Sequence, residues 1–161
     1  MAESAVPKTK HQGTLTITPG SGSPYTCVVE MGNLTIEGLE AGQRAEILVT
    51  DRGMFHEVVE GDQTYPTVSF TVVQCDVVDG TDATLLGILT RKGPYAAATS
   101  TRGTGRPWCV DLLFTIAGTG VGDAANHTFT LEDYRPKVSF TEGDPNEYAV
   151  SGTVYGTITP T

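Results

Sequence analysis

Alternation of apolar and polar residues at a period of two is the feature that most constrains the fold of this chain. It is clearest in the segments that begin at Thr14, Thr67 and Cys109, where an apolar side chain recurs at every second position. This period is typical of a β-strand with one buried face, because successive side chains of a strand point to opposite faces of the sheet. Short Gly-containing links separate the segments, which favours antiparallel neighbours.

Roughly ten strands are predicted on this basis, and the resulting fold is an antiparallel β-sandwich or open barrel with one short α-helix and a long loop. The strand segments are Thr14–Thr18, Tyr25–Met31, Leu34–Gly38, Gln43–Thr50, Met54–Glu60, Thr67–Gln74, Cys109–Ala117, His127–Tyr134, Lys137–Thr141 and Tyr148–Thr159. The second and third of these segments are expected to form a hairpin around Gly32 and Asn33, a dipeptide that tolerates positive φ.

The single helix is predicted at Thr81–Lys92. Thr81 or Asp82 can cap its start, and Gly93 can end it. Its leucines and isoleucine form an apolar stripe. This stripe must cover part of the sheet, because a helix of about three turns is marginal alone.

A single domain is expected, since 161 residues can bury a core without disulfides or metals. We expect residues 1–12 to form a flexible N-terminal arm and residues 13–161 to form one β-sandwich domain. Cys27, Cys75 and Cys109 are odd in number and widely spaced, so we expect reduced and mostly buried thiols. The first twelve residues lack the apolar stretch of a secretory signal, and no run is long enough to cross a membrane, which predicts a soluble intracellular protein.

The formal net charge of −9 argues against binding to the outside of a nucleic acid. It is compatible with enclosing one, because a wall of like charge repels phosphates. No catalytic or phosphate-binding motif is present, and the three histidines are isolated. We therefore expect a structural protein that assembles with copies of itself, with no catalytic residue, no metal and no cofactor.

Two acidic clusters allow more than one interpretation. One comprises Glu57, Glu60 and Asp62, and the other surrounds residues 142–147. Solvated turn carboxylates are the simplest interpretation, because neither cluster has the spacing of a calcium-binding loop. A calcium site and a contact with basic groups on another copy are the alternatives.

The loop Pro94–Pro107 is a positive segment on a negative protein. No Asp or Glu occurs from Ala83 to Val110, whereas four basic residues fall there, including Arg102 and Arg106. The loop looks too polar to contribute to a core. If copies stack, its charge would steer docking and fix register; an ordinary solvated loop is the alternative. Trp108 lies beside it, as either an anchor of a subunit contact or a core residue.

Five segments recur in order in a known family: GTLTI at 13–17, YPTVSF at 65–70, WCVDLLFTI at 108–116, PKVSFTEGDPN at 136–146 and VSGTVYG at 150–156. On these segments the chain resembles the tail-tube, or major tail, proteins of long-tailed phages. The resemblance implies a β-sandwich flanked by one helix. It also implies hexameric rings whose sheets merge into a barrel around a channel, with the rings stacked into a tube by long loops.

The resemblance further implies a virion protein of the tail, made in the host cytoplasm, that forms the conduit for DNA ejection. Tape-measure, tail terminator and baseplate proteins are the implied partners. DNA would pass through the lumen without specific binding.

Within that plan, the candidates for inter-ring stacking are Arg102, Arg106 and Trp108. The candidates for the channel wall are Glu30, Glu37, Glu46 and Glu57. Only one face of each strand can line a channel, because side chains alternate between faces.

Two other readings remain open. One is another phage virion β-sandwich protein, such as a head decoration protein, tail terminator or baseplate component. The other is a carbohydrate-binding β-sandwich in which Trp108 stacks on a sugar.

Overall fold

The computed structural model describes residues 13–28, 34–40, 44–73, 82–116, 118 and 125–161. The strands in these ranges are β1 (Gly13–Thr18), β2 (Tyr25–Val28), β3 (Thr35–Glu37), β4 (Arg44–Asp51), β5 (Met54–Gln63), β6 (Thr67–Val73), β7 (Val110–Ile116), β8 (His127–Thr141), β9 (Glu147–Val154) and β10 (Ile158–Pro160). One short helix, α1 (Leu85–Thr90), accompanies them. The expected flexible arm at residues 1–12 lies outside the described residues.

All the strand pairs are antiparallel and form two open sheets. The larger sheet has the order β2-β1-β7-β8-β9-β6-β3, and β10 pairs with β8 beside this path. The smaller sheet is the hairpin of β4 and β5. The prediction of a mainly β, antiparallel fold with one short helix is confirmed, and the arrangement is consistent with a β-sandwich.

The predicted hairpin of Tyr25–Met31 with Leu34–Gly38 is wrong. β2 pairs with β1 and β3 pairs with β6, so the two strands lie at opposite ends of the sheet order. Seven residue steps join Val28 to Thr35 and can span at most about 25 Å. Seven flat strands would separate the two edges by about 29 Å. The sheet must therefore curl so that its edges approach each other.

Strand β8 belongs to both halves of this curled sheet. Up to Leu131 it pairs with β7 and β10, and from Tyr134 onward it pairs with β9. Between the two parts the register against β7 shifts by one residue, and Asp133 has a φ of 56°. Such a bulge bends a strand and allows it to pass from one layer to the next.

The sequence-based division of β8 into two strands is also wrong. Pro136 does not interrupt it and pairs with Gly152 of β9. Among the described residues, this part of β8 has a strand neighbour on one side only. A proline is tolerated there because it leaves no ladder hydrogen bond unmade on the open side.

The core lies between the two halves of the sheet and under α1. Its buried apolar residues are Leu15, Ile17, Val68, Phe70, Val72, Leu85, Ile88, Leu89, Tyr95, Ala98, Val110, Leu112, Leu131, Tyr134, Tyr148, Val150 and Val154. The alternating positions of β1, β6, β7 and β9 supply most of them. The strand periodicity thus identified the buried faces correctly.

Helix α1 is shorter than predicted and has different caps. Thr84 is the N-cap, and its hydroxyl accepts a hydrogen bond from the Gly87 N–H at 3.0 Å. Arg91, with a φ of 55°, ends the helix in place of Gly93. Thr84 is buried at the start of the helix, whereas Asp82, the predicted cap, is exposed.

The loop from Pro94 to Pro107 contributes to the core, contrary to expectation. Tyr95 and Ala98 are buried in the main cluster. The Ser100 hydroxyl donates to the Pro107 carbonyl at 2.8 Å and accepts from the Cys109 N–H at 3.0 Å. Ser100 therefore closes the base of the loop, and residues 102–107 beyond it are exposed.

Candidate functional site

The β4–β5 hairpin carries most of the exposed apolar surface. Of the ten exposed large hydrophobic side chains among the described residues, six are in this hairpin, with exposures from 42% to 74%. They are Ile47, Leu48, Met54, Phe55, Val58 and Val59. Exposed apolar surface of this extent marks an interaction site, because isolated two-stranded hairpins are marginal in water.

Both edges of the hairpin are unpaired within the described part of the chain, since β4 and β5 pair only with each other. The two-residue turn at Arg52 and Gly53 has positive φ at both positions, 49° and 80°, which matches the twist of the flanking strands. Open edges present unpaired N–H and C=O groups to any additional strand. The hairpin therefore presents both exposed apolar side chains and strand edges to which a further strand can pair.

The strand register separates the predicted channel residues. Glu46 pairs with Glu60 on one face of the hairpin, and Glu57 pairs with Val49 on the other. Glu46 and Glu57 therefore cannot line the same channel wall. Glu37 lies in β3, at an edge of the larger sheet, where it accepts a hydrogen bond from the Thr67 hydroxyl at 3.4 Å. Glu30 lies outside the described residues.

A second feature is a cavity of about 410 Å³ beside the bulge of β8, here called the arginine pocket. Its walls include the side chains of Arg102, Arg106, Arg135, Tyr65, Tyr155 and Cys109. Two of these arginines come from the loop and the third from β8. Tyr65 precedes β6, Tyr155 follows β9, and Gln63 at the end of β5 also lines the pocket, which therefore forms where the larger sheet, its loops and the hairpin meet.

Arg102 is held in place within the pocket. Its guanidinium lies 5.5 Å from the ring centroid of Tyr155 and 3.7 Å from the Asp133 carboxylate. The Tyr155 ring is in turn packed edge-on against Tyr65, with centroids 5.2 Å apart. The Thr101 hydroxyl donates to the other oxygen of Asp133 at 2.7 Å, which orients the carboxylate.

Burial raises the pKa of the Cys109 thiol, with a further increase from the negative charge of Asp133. The positive charges of Arg102 and Arg135 oppose this shift of the pKa. The two guanidiniums therefore both lie close enough to Cys109 to affect its pKa, although Arg102 and Arg135 are 33 positions apart in the chain. Cys109 is buried and protonated at neutral pH, so it offers no reactive thiolate.

Trp108 is not part of this pocket. Its indole N–H donates to the Ile88 carbonyl at 3.0 Å, and the Arg91 guanidinium lies 5.5 Å from its ring centroid. It packs against the core, half-buried between α1 and the start of β7. The structure therefore places Arg102, Arg106 and Arg135 in one pocket and Trp108 in a packing role against α1.

The bulge beside the pocket depends on Asp111. The Asp111 carboxylate accepts a hydrogen bond from the Asp133 N–H at 2.9 Å, which satisfies a backbone donor that the bulge leaves without a ladder partner. Burial is the largest cause that raises the pKa of Asp111, and the negative charges of Asp133 and Glu132 raise it further. The hydrogen bond from Asp133 opposes these effects.

We predict that Asp111→Leu lowers the free energy of unfolding by about 1–3 kcal/mol, because it leaves the Asp133 N–H without an acceptor. Asp111→Asn keeps an oxygen acceptor and is the matched control. Because folding raises the pKa of Asp111, its stabilising contribution is fully present below the unfolded pKa and is lost as pH rises through the folded pKa. Asp111→Asn should therefore gain stability relative to the wild type between acidic and neutral pH in urea unfolding. Parallel pH profiles for the two proteins would contradict this assignment.

No metal site is evident in the described ranges, where no group of three or more His, Cys, Asp or Glu residues could hold an ion. Within the same ranges, no helix has the length and apolar character needed to cross a membrane.

Comparison with known proteins gives a likeness of fold. No family model matches the chain, and no curated protein matches it. Among solved structures, a component of a contractile injection system has a similar fold. It is the sheath/tube terminator of the extracellular contractile injection system PVC in its extended state, determined by cryo-EM. The TM-score is 0.50 at 10% sequence identity, and the match covers 91% of this chain and 92% of that one.

Proposed function

We propose that this chain is a structural subunit of a phage-like tail, which assembles with copies of itself through the β4–β5 hairpin. The observation that carries the proposal is the hairpin itself, with apolar side chains exposed on both faces and both edges unpaired among the described residues. A second copy can satisfy both features, because adding its strands pairs the edge and buries the side chains.

A ring is the natural outcome of such pairing. A hairpin that pairs with a neighbour on each edge forms a head-to-tail contact, and such contacts close into a ring when the rotation between copies permits. Closure leaves no exposed edge. The particular assembly we propose is a hexameric ring, stacked into a tail tube that serves as the conduit for DNA ejection. Tape-measure, tail terminator and baseplate proteins are the proposed partners in the virion.

The likeness of fold to a sheath/tube terminator supports a place in a tail-like assembly. It also makes a terminator the second candidate for this chain. A terminator would form one ring that caps a tube, whereas a tube subunit would form rings that stack without limit. The net charge of −9 supports a conduit, because a negative wall lets DNA slide without adhering.

A structural role without enzymatic activity, cofactor or metal is part of the proposal. The carbohydrate-binding alternative is weaker, because Arg91 lies against the indole of Trp108 and the indole N–H is already bonded to Ile88. A sugar would have to displace these contacts before it could stack on the ring.

Electron microscopy and sedimentation velocity of the concentrated protein test the proposal. Closed rings that stack into hollow tubes are expected for a tube subunit, and single rings that do not stack are expected for a terminator. A protein that stays monomeric at every concentration, alone and with tail extracts, would refute assembly through the hairpin.

A further inference from the structure

The arginine pocket brings three arginines together, and among the described residues only Arg102 of the three forms an ion pair. Arg102 pairs with the Asp133 carboxylate at 3.7 Å, and the Thr101 hydroxyl already occupies the other oxygen of that carboxylate. Arg106 and Arg135 have no ion pair with any other described residue and are exposed. On a chain with a net charge of −9, this concentration of guanidiniums indicates an anionic occupant.

The same chain carries a matching acidic turn. Residues 142–146 join β8 to β9 and include Glu142 and Asp144, and Glu147 begins β9; no Lys or Arg follows Lys137. The Gly143 N–H donates to the Asn146 side chain at 3.0 Å, which gives the turn a defined shape. Glu142 and Asp144 are exposed, so their carboxylates are available to another molecule.

The pocket and the acidic turn lie at opposite ends of the β8–β9 ladder. Arg135 pairs with Thr153 at one end, and Thr141 pairs with Glu147 at the other. Six residues separate these pairs along β8, a distance of about 20 Å at the rise of a strand. A translation of one copy along the strand direction would therefore bring its acidic turn towards the end of the ladder that carries the pocket of the next copy.

We propose that the arginine pocket receives the acidic turn of a second copy, in a head-to-tail contact that repeats along the strand direction. Guanidinium groups bind carboxylates through paired hydrogen bonds, and Arg102 is already oriented by Tyr155 and Asp133. The contact is distinct from pairing at the hairpin edges. It deepens the proposed function by identifying the surfaces through which rings stack.

Charge reversal on each side of the contact tests it with the full-length protein. The pocket variant is Arg106→Glu with Arg135→Glu, and the turn variant is Glu142→Lys with Asp144→Lys; all four side chains are exposed, so both variants should fold. Each variant alone should associate head to tail at least about tenfold more weakly than the wild type, because like charges meet at the contact. An equimolar mixture should recover association, since each pocket then meets an oppositely charged turn.

Lys137→Glu is the matched control, because it reverses a charge two residues from Arg135 without entering the pocket. Light scattering and sedimentation should be compared at about 10 mM and about 150 mM salt, where the Debye lengths are about 30 Å and about 8 Å. The head-to-tail association of the wild type should weaken at the higher salt. Single variants that associate like the wild type, or a mixture that fails to recover, would overturn the proposal.

Three further outcomes separate this inference from its rivals. Rings that form but no longer stack in the reversed variants would support both the hairpin assembly and the pocket contact. If the wild type forms no rings through the hairpin but the equimolar mixture of the two variants still recovers association, the proposed function alone would be overturned. Binding of a short single-stranded DNA that depends on Arg106 and Arg135, with unchanged self-association, would assign the pocket to phosphates and overturn the contact.

Discussion

Replacing Ile47 and Val59 with lysine should raise the protein concentration needed for assembly by about thirtyfold. The two side chains face each other across the hairpin and are 52% and 42% exposed in the single subunit. Because each side chain is only about half exposed, burying it against a neighbour contributes about 1 kcal/mol, so removing both costs about 2 kcal/mol per contact, and each 1.4 kcal/mol is a factor of about ten. The lysines also place like charges where copies meet. Sedimentation equilibrium gives the change in association constant.

The folded subunit should survive this double substitution, because neither side chain enters the core. Leu113→Lys is the matched control, since Leu113 is an exposed apolar residue on β7 outside the hairpin. It should assemble like the wild type. If the hairpin variant assembles at wild-type concentrations, or if Leu113→Lys fails equally, the hairpin is not the assembling element.

Gly152→Val should lower the free energy of unfolding by about 3 kcal/mol, the upper end of the usual cost of overpacking. A Cβ at this position would overlap the Arg135 carbonyl oxygen and lie 2.7 Å from the Tyr134 ring. Tyr134 cannot move aside because it is fully buried and its hydroxyl donates to the Val68 carbonyl at 3.2 Å. The Arg135 carbonyl cannot move aside either, because Arg135 is paired with Thr153 in the β8–β9 ladder. For a domain of this size, the melting temperature should fall by about 6–12 °C.

Ser151→Val provides the control on the same strand. Ser151 is exposed and adjacent to Gly152, and an exposed β-branched residue suits a strand, so its effect should stay within about 0.5 kcal/mol. Thermal and urea unfolding of the two variants should therefore diverge. Equal stability of Gly152→Val and the wild type would show that the sheet can relax around the added side chain.

Strand periodicity predicted the buried faces well and the strand pairing poorly. Leu15, Ile17, Val110 and Leu112 alternate in the sequence and are buried in the structure. The pairing of β2 failed because Gly32 and Asn33 suggested a local hairpin, whereas β2 finds its partner in β1. A turn dipeptide indicates only the local backbone conformation and does not determine which strand pairs with which. Which edge a strand joins depends on the curl of the whole sheet.

The candidate site was only partly visible in the sequence. The absence of acidic residues around Arg102 and Arg106 indicated a positive loop, and these two residues do share a pocket. Arg135 could not be added from spacing, because the register of β8 and the bulge at Asp133 bring it there. The core contribution of Tyr95 and Ala98 was missed because a stretch rich in Ala, Thr and Gly has no periodic pattern to reveal its buried side.

The hairpin forms its own two-stranded sheet, so its side chains are nearly independent of those that hold the domain together. In the proposed assembly, changes in this hairpin would alter ring diameter, subunit number or choice of partner without revising the residues that determine folding. In a saturation mutagenesis library scored separately for solubility and for particle formation, the hairpin positions should respond differently from the rest of the domain. Positions 44–63 would tolerate change in the first screen and resist it in the second.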